Sequence, residues 1–326
     1  MVTRDDVAKH AGVSKTTVSR VLNSNGYVSS ENRSKIEQAI KELGYSPDLI
    51  ARGLKTRESR QILFFVNEIL NPFYMEVYRG MEDCAEENGY TIVLSRNFDP
   101  GRIRQRRYDG IILSDISPGK EDDYITLGIP AVVTDYGGKP LNIPSVGIDI
   151  KGGAMKAAQF LLESGHRKVA FITMLENRDD QRLSGFLNFL DKAGASVSRE
   201  PVTVVNTQGN NGYAKGYNAA VELLQRTGGD ITAVFAFNDT MAIGAMKAFS
   251  ERDIKLPGDI SVMGFDDIIQ SGFTTPALTT VRLPKYEQGY ESARLLINML
   301  RGHKAESMTL DTELVERDSV IKIKQS

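Results

Sequence analysis

The sequence has few of the residues from which disulfides and metal sites are built. Its 326 residues contain one cysteine, Cys84, and three histidines. A single cysteine excludes an internal disulfide, and this favours a reducing cytoplasm. The histidines do not have metal-ligand spacing. We therefore expect a cytoplasmic protein with no metal and no cofactor.

Long apolar runs and catalytic signatures are also missing. No uninterrupted apolar run approaches the ~18 residues of a membrane-spanning helix. The first nine residues, MVTRDDVAK, lack the apolar centre of a signal peptide. The motifs of serine hydrolases, P-loop proteins and dinucleotide-binding proteins do not occur. The sequence therefore predicts neither a membrane protein nor an enzyme.

Charge is unevenly distributed along the chain. Residues 1–60 contain 11 lysines and arginines against 7 acidic residues, whereas the remainder contains 29 against 35. A basic amino-terminal segment on an acidic body indicates an anionic partner for that segment. Taken alone, a surplus of four positive charges over sixty residues is also compatible with an ordinary surface.

Residues 1–45 are predicted to form three short helices. Thr3 and Asp6 have the spacing of a capping box, which begins a first helix. Ser14 and Ser29 can cap a second and a third helix, and glycines follow the first and third. Two helices joined by a glycine-containing turn are typical of a helix-turn-helix motif.

The second helix combines an apolar side with a small polar first turn. In the stretch HAGVSKTTVSRVLN, Val18, Val21 and Leu22 are predicted to pack against the other helices. The first turn is small and polar enough for the helix end to enter a DNA major groove. An ordinary capped surface helix would show the same features.

This amino-terminal segment resembles the DNA-binding domain of the LacI/GalR family of bacterial transcription regulators. The motifs DVAxxAGVS, TVSRVLN, VSxxxRxKI and LGYxP carry the resemblance. It implies that three side chains read bases: Lys15, Thr16 and Arg20. It also implies that seven residues position the DNA backbone: Thr3, Ser14, Thr17, Ser19, Asn23, Ser29 and Tyr45.

The segment SPDLIARGLKT, residues 46–56, matches the hinge helix of that family. A helix of about 8 residues is marginal in isolation. The resemblance implies that it becomes ordered with its twin on operator DNA, where Leu54 wedges into the minor groove with Ala51 beside it. Without the resemblance, Leu54 would be an ordinary apolar residue of a linker.

From residue 61 onward, short apolar runs alternate with helical patterns. The runs are ILFFV, TIVLS, GIILS, AVVTD, KVAFIT, VTVVN, AVFAF and ISVMGF. Near-continuous apolar strands separated by helices predict parallel sheets that are covered on both faces. Ligands of such sheets bind beyond the carboxyl ends of the strands.

The same region resembles the family's effector-binding core, which has the fold of periplasmic sugar-binding proteins. The motifs are NPF, SGHRKVAFI, RLSGF, FNDTMAIG, PxDISVMGFDD and PxLTTV. The predicted fold class is an all-α helix-turn-helix head plus a two-lobed α/β core with parallel sheets. The predicted domains are 1–45 (helix-turn-helix), 46–60 (hinge helix and linker) and 61–326 (core, with lobe 1 about 61–158 and 286–313, and lobe 2 about 159–285 and 314–326).

The effector site is predicted from strand ends and from the resemblance. The residues are Asn71, Phe73, Asp135, Arg182, Asn238 and Asp266. Carboxylates accept hydrogen bonds from hydroxyl groups, arginine and asparagine donate them, and an aromatic face covers apolar C–H groups, which suits a polyol. Two nearby acids have simpler interpretations and are left out: Asp239 as a helix cap and Asp267 as a turn residue.

Two positions depart from the family pattern. Leu283 stands where many members have a polar side chain, so one hydrogen bond to the ligand is expected to be missing. The segment RNFDPGRIRQRRYDG, residues 96–110, is shorter than usual, and only a stub of helix is expected after Pro100. Its arginines fit a solvated or inter-subunit face better than a second nucleic-acid site.

These features together predict a sequence-specific, DNA-binding transcriptional regulator. We expect a homodimeric repressor of carbohydrate-utilisation genes that binds a pseudo-palindromic double-stranded operator. A sugar or sugar derivative between the lobes would control it. A purine-type or phosphoprotein-responsive regulator of the same family is the main alternative, and a sugar-binding protein without a regulatory role is a weaker one.

Overall fold

A computed structural model describes most of the chain. The described residues are 2–22, 25–45, 58–66, 68–106, 108–114, 124, 126–134, 143–173, 181–192, 202–203 and 211–323. They form two compact units, the head (Met1–Ser59) and the core (Arg60–Ser326). The following predictions lie outside the described residues: the hinge helix 46–56, Asn23, Ala51, Leu54 and Asp135.

The helices and strands are numbered in chain order. The head contains α1 (Arg4–Ala11), α2 (Lys15–Leu22) and α3 (Ser30–Leu43). The core contains β1 (Gln61–Phe65), α4 (Pro72–Glu87), β2 (Thr91–Ser95), α5 (Pro100–Arg106), β3 (Gly110–Leu113), β4 (Ala131–Val133), β5 (Val146–Ile148), α6 (Ile150–Glu163), β6 (Val169–Thr173), α7 (Gln181–Lys192), β7 (Val202–Thr203), α8 (Gly212–Thr227), β8 (Ala233–Ala236), α9 (Asp239–Ser250), β9 (Ser261–Met263), a 3-10 segment (Ile269–Phe273), β10 (Thr280–Arg282), α10 (Lys285–Leu300), β11 (Met308–Leu310) and β12 (Glu313–Val315).

Local capping signals set the helix boundaries of the head. The Thr3 hydroxyl accepts a hydrogen bond from the Asp6 N–H, and the Asp6 carboxylate accepts one from the Thr3 N–H, so the predicted capping box is confirmed. Ser29 caps α3 through the Asn32 N–H. Gly12 ends α1 in the left-handed conformation, with φ 65°, as glycine does without steric cost.

The head has a small apolar core to which all three helices contribute. Val7 of α1, Val18 of α2 and Ile36 of α3 are completely buried. Burying such a side chain contributes about 1.5–3 kcal/mol. Tyr45 is also buried, and its hydroxyl accepts a hydrogen bond from Arg4 Nε at 3.3 Å. The apolar side of α2 therefore faces inward, as the sequence predicted.

The first lobe of the core is built on a parallel sheet with the order β2-β1-β3-β4. Ile62 of β1 lies opposite Ile92 of β2 and Gly110 of β3. Helices α4 and α10 pack together against this sheet, and their close approach depends on two glycines. A Cβ atom at Gly80 would collide with the carbonyl of Tyr286, and one at Gly289 would collide with the carbonyl of Val77.

The second lobe repeats the design with the parallel order β7-β6-β8-β9. Helices α6 and α7 cover one face of this sheet, and α8 and α9 cover the other. Stacked phenylalanines fill the first of these interfaces, with the rings of Phe186 and Phe235 4.8 Å apart. Each of the eight apolar runs that the sequence singled out contains a strand within the described residues, and the run VTVVN is described only at Val202–Thr203. The two-lobed α/β core is therefore confirmed.

Four short strands that the sequence did not predict connect the lobes. Strand β11 pairs with β5 in parallel, and β10 pairs with β12 antiparallel. The chain thus moves between the lobes at three passages, near residues 148–150, 282–285 and 310–313. The predicted lobe boundary near residue 158 falls inside α6, which packs on the second lobe from Ile150 onward.

The shortened crossover between β2 and β3 contains the expected stub of helix, α5. Ile103 of this stub is buried in the apolar cluster on its side of the sheet. Three aromatic side chains also pack together on this side of the sheet. The ring centroid of Phe98 lies 4.4 Å from that of Tyr124 and 5.5 Å from that of Phe65. The crossover therefore covers the sheet with bulky rings and with only two turns of helix.

Arg96, which precedes the helical stub, is exposed. Arg104 is the arginine of α5 whose side chain the structure describes. It is exposed and donates a hydrogen bond to the Thr126 carbonyl at 2.9 Å. Arg107 lies outside the described residues. This contact agrees with a solvated face.

Membrane and metal features are absent from the described part of the chain. None of its helices combines the length and the apolar character that spanning a bilayer requires. No group of three or more histidine, cysteine, aspartate or glutamate side chains could hold a metal ion there. Cys84 is buried in the first-lobe core, and burial raises the pKa of its thiol to about 11.

His166 joins the carboxyl-terminal segment to the second lobe. It is completely buried, with Nε2 3.0 Å from the Ile321 carbonyl and Nδ1 3.1 Å from the Thr232 hydroxyl. The Nε2 atom must carry a hydrogen and donate, because the Ile321 carbonyl can only accept. Burial disfavours the imidazolium and lowers the pKa of His166.

This burial predicts an acid-sensitive fold. Below the ordinary histidine pKa of about 6.5, the unfolded chain binds a proton at His166 more readily than the native chain does, so stability falls as pH falls. Urea unfolding midpoints at pH 7.5 and 5.5 should therefore differ less in His166→Gln than in the wild type. The exposed His303 provides the matched control, and His303→Gln should keep the wild-type difference. An equal pH dependence in all three proteins would contradict this role.

Candidate functional site

The first turn of α2 presents polar side chains to solvent. Lys15, Thr16 and Arg20, which the resemblance assigns to base reading, are all exposed. The Lys15 ammonium lies 2.8 Å from the Asp5 carboxylate. Both groups of this ion pair are more than half exposed, so it is weak and leaves lysine available to an anion. The three side chains lie on one short helix whose opposite side is the head core.

The residues assigned to the DNA backbone have structural contacts as well. The Ser14 hydroxyl accepts the Thr17 N–H at 3.1 Å and lies 2.8 Å from the Thr17 hydroxyl. Thr3 and Ser29 are the helix caps described above, and Ser19 is half-buried. Hydroxyl groups at helix starts are also the groups that bind phosphates in DNA complexes. Tyr45 differs from the other residues assigned to the DNA backbone, because its side chain is buried in the apolar core of the head.

Two of the predicted effector residues meet at the carboxyl ends of the second-lobe strands. Arg182 lies in the first turn of α7, and Asp266 follows β9. Arg182 Nη2 lies 4.0 Å from Asp266 Oδ1. The guanidinium also lies over two aromatic rings, 4.2 Å from the Phe237 centroid and 4.9 Å from the Phe265 centroid. The structure therefore brings a cation, a carboxylate and aromatic faces together where parallel sheets bind ligands.

Asn71 and Asn238 cap the helices that follow their strands. The Asn238 Oδ1 atom accepts the Met241 N–H at 3.0 Å and the Thr240 hydroxyl at 2.9 Å. The Asn71 Oδ1 atom accepts the Phe73 N–H at 3.0 Å. These contacts occupy the amide oxygens and orient the amide groups at the strand ends.

The expectation that Asp239 caps α9 is wrong, because Asn238 is the cap. Asp239 is completely buried as the first residue of the helix. Its carboxylate accepts hydrogen bonds from the Ile268 N–H and from the hydroxyls of Ser271 and Thr280. Burial raises its pKa, and these hydrogen bonds act in the opposite direction. Asp239 therefore connects the 3-10 segment and β10 to the start of α9 through hydrogen bonds.

Apolar residues mark the boundary between the lobes. Phe73 is half-buried and packs against the apolar clusters of both lobes. Its ring meets Tyr74 edge-on at 5.2 Å. Leu283, the departure from the family pattern, is 2% exposed and belongs to the second-lobe cluster. A polar side chain at this position would have to be buried there.

The turn that carries Asp266 has an unusual backbone. Asp266 has φ 124° and Asp267 has φ 55°, both positive at non-glycine residues. Such conformations cost about 1–3 kcal/mol and persist only where surrounding contacts hold them. We refer to these two residues of positive φ as the turn, and the Asp267 side chain has an additional role in holding its backbone.

The contacts that hold this turn come from three cations. The Asp267 carboxylate accepts Arg282 Nε at 2.7 Å and Arg317 Nη2 at 2.6 Å. Burial alone would raise the pKa of Asp267, but the two arginines outweigh it and lower the pKa. Lys285 Nζ donates to the carbonyls of Asp266 at 2.5 Å and Asp267 at 2.9 Å. Burial lowers the pKa of Lys285, and nearby carboxylates oppose that effect.

Sequence reasoning missed these three cations. Their partners lie 15 to 50 residues away along the chain. Local periodicity and short motifs do not predict contacts between residues that are so far apart in the sequence. The pair of consecutive aspartates after a strand was the one available signal, because aspartate tolerates left-handed backbone and attracts cations.

Comparison with known proteins agrees with this architecture. The profile of the lacI family of bacterial regulatory proteins matches residues 3–48, and that of the periplasmic binding protein-like domain matches residues 158–320. The HTH-type transcriptional repressor PurR of Pectobacterium atrosepticum is 35% identical over 339 residues. The match covers 98% of this chain and 97% of that protein.

Two solved structures are similar over nearly the whole length. The transcriptional regulator CelR–cellobiose complex is 31% identical with a TM-score of 0.68, covering 98% of this chain and 100% of the other. The Lac repressor dimer bound to operator and the anti-inducer ONPF is 26% identical with a TM-score of 0.80, covering 98% and 99%. The partners of the chain are accordingly operator DNA and a small-molecule effector. The chain belongs to the LacI family and is a non-enzymatic, DNA-binding transcription regulator with an effector-binding core of the periplasmic-binding-protein type.

Proposed function

We propose that this regulator is a homodimeric repressor of carbohydrate-utilisation genes and that a sugar or sugar derivative controls it. The observation that carries the proposal is the Arg182–Asp266 pair at the strand ends, with the rings of Phe237 and Phe265 beside it. A carboxylate accepts from paired hydroxyls, a guanidinium donates to ring oxygens, and aromatic faces cover apolar C–H groups. The cellobiose complex of a relative that is 31% identical supports the same ligand class.

A purine-type effector is the second candidate. The similarity to PurR repressors at 35% identity over nearly the whole chain favours it. A planar base could stack on the same aromatic faces and bind the same charged pair. The two candidates share the site and differ in the ligand, so one titration panel separates them.

Control of DNA binding follows as linkage between two sites. We propose that effector in the cleft alters lobe closure and thereby the spacing of the two hinge segments on the operator. Effector and operator must then change each other's affinity by equal factors. Action on DNA and the single cysteine both support a cytoplasmic location.

A second copy is proposed to cover the apolar residues of the 3-10 segment. Ile269 is 67% exposed and Phe273 is 85% exposed. Two heads on a two-fold axis would meet a pseudo-palindromic operator, as two-fold symmetric regulators do. The exposed apolar side chains support a self-complementary contact at this surface.

The double variant Ile269→Ser with Phe273→Ser should weaken the dimer, because both side chains would lose apolar contact with the partner copy. Sedimentation equilibrium should show at least a tenfold higher dimer dissociation constant, which corresponds to about 1.4 kcal/mol. Leu70→Ser is the matched control, because Leu70 is 78% exposed on the first lobe. An unchanged dissociation constant in the double variant would place the dimer contact elsewhere.

Arg20→Ala should relax base preference at one position of each half-site, because arginine reads guanine through two hydrogen bonds worth about 1–3 kcal/mol. Preferred sites are first selected from random duplexes with the wild type and then with the variant. The control is Lys35→Ala, which removes an exposed lysine that pairs with Glu31 on α3. Equal loss of affinity for selected and random DNA would show that Arg20 contacts only phosphates.

Arg182→Gln and Asp266→Asn should each weaken effector binding by about 10- to 100-fold, because each removes a hydrogen bond to a charged group. Calorimetric titration with cellobiose, D-ribose, hypoxanthine and guanine identifies the ligand class. Arg226→Gln on α8 is the control, because Arg226 pairs with Glu222 on the protein surface. Binding of the purines alone would replace the sugar proposal by the second candidate, and full affinity in both cleft variants would place the site elsewhere.

A further inference from the structure

Three cations surround the strained turn at the effector site, and we call them the turn clamp: Arg282, Lys285 and Arg317. The arginines bind the side chain of Asp267, and Lys285 binds the main-chain carbonyls of Asp266 and Asp267. The clamp therefore contacts both the Asp267 side chain and the main chain of the turn. Asp266 itself has a φ of 124°, which it would not keep without such contacts.

One arginine of the clamp, Arg282, lies on a passage between the lobes, and the other, Arg317, lies just beyond β12. Arg282 ends β10, and its guanidinium also donates to Glu313 at the start of β12, at 2.8 Å. Arg317 follows β12 and donates to the Leu278 carbonyl at 2.8 Å. Arg282 thus connects Asp267, through Glu313, to the passage near residues 310–313, whereas Arg317 connects Asp267 to the second-lobe segment that precedes β10.

Lys285 connects the turn to the other lobe. It is the first residue of α10, which packs on the first-lobe sheet, whereas Asp266 follows a strand of the second lobe. Its side chain is buried at 7% exposure, and its ammonium donates to three main-chain carbonyls, the third being Leu283 at 3.5 Å. An apolar side chain of similar length would be cheaper to bury, so a packing role alone does not account for the ammonium.

We propose that Lys285 is a positioning residue that holds the Asp266 carboxylate toward the effector and links its direction to the arrangement of the lobes. The inference rests on the proposed effector site at Arg182 and Asp266. When the lobes rotate about their passages, Lys285 moves with α10, and the carbonyl that it holds belongs to Asp266. Effector binding at Asp266 and lobe orientation therefore constrain each other through one ammonium group.

Hydrogen exchange tests the clamp without any ligand. The Asp266 N–H donates to the Val281 carbonyl at 2.9 Å, and the Leu283 N–H donates to the Asp266 carbonyl at 3.4 Å. In Lys285→Met, both amides should exchange at least tenfold faster, while peptides from β6 and β8 keep the wild-type rate. The matched control is Lys247→Met, which removes an exposed lysine that pairs with Glu251.

A second variant with a smaller expected effect keeps the test valid if Lys285→Met does not fold. Arg282 is about half exposed, so Arg282→Gln should fold normally and speed exchange of the same two amides to a smaller extent. Unchanged exchange at the turn in both clamp variants would overturn the proposal. A uniform increase over the whole core would also overturn it, because that result is the signature of general destabilisation.

Ligand titration then separates positioning from packing. Cellobiose, D-ribose and hypoxanthine are the probes, and Lys285→Met should raise the dissociation constant of the binding probe about tenfold. In a double-mutant cycle with Asp266→Asn, the two losses should not add, because Lys285 acts through Asp266. Additive losses would reduce Lys285 to a packing residue. Absence of binding by the wild type to all three probes would count against the proposed effector classes, while the exchange result would still decide the role of Lys285.

Discussion

The ion-paired turn at Asp266 and Asp267 is the constraint on which the effector side of the core depends. Two consecutive non-glycine residues have positive φ there, and cations bind both the Asp267 side chain and the main-chain carbonyls of this turn. The conformation places the Asp266 carboxylate opposite Arg182. Removing one cation would take one charged donor from the Asp267 carboxylate or from the carbonyls of Asp266 and Asp267, and lost hydrogen bonds to charged groups are expensive in a low-dielectric interior. The geometry of the site therefore depends on the ion pairs and hydrogen bonds that Arg282, Lys285 and Arg317 make with the turn.

The two lobes and the joint between them are built from different interactions. Each lobe is an apolar sandwich in which glycines allow helices to approach closely, as at Gly80 and Gly289. Such interiors are close-packed and move as units. The joint consists of three-residue strands, ion pairs and hydrogen bonds to carbonyls. Directional polar contacts can exchange between discrete arrangements, so relative motion of the lobes is expected at the joint and not within the sheets.

The head relies on local chemistry to a greater degree. Its helices begin at hydroxyl caps and two of them end at left-handed glycines, and its core is small. The hydroxyls that cap helices here are also the groups that the family resemblance assigns to DNA phosphates. A single set of side chains can thus define the helix ends and present them to an anion, because both tasks use the unpaired N–H groups and hydroxyls of a first helical turn.

The three helices of the head, the eight apolar strands of the core and the alternation of strands and helices could all be predicted from the amino-acid sequence. Those features depend on contacts within a few residues, such as the Thr3–Asp6 box, or on apolar runs that only a buried strand satisfies. Arg182 and Asp266 were predicted from family motifs, and their meeting follows from strand ends sharing one edge of a sheet. Three features became visible only in the folded chain: the strands β5 and β10 to β12, the burial of Asp239, and the convergence of Arg282, Lys285 and Arg317 on one turn. The physical reason is chain separation: these partners lie 15 or more residues apart, and their pairing energy appears only after the lobes have formed.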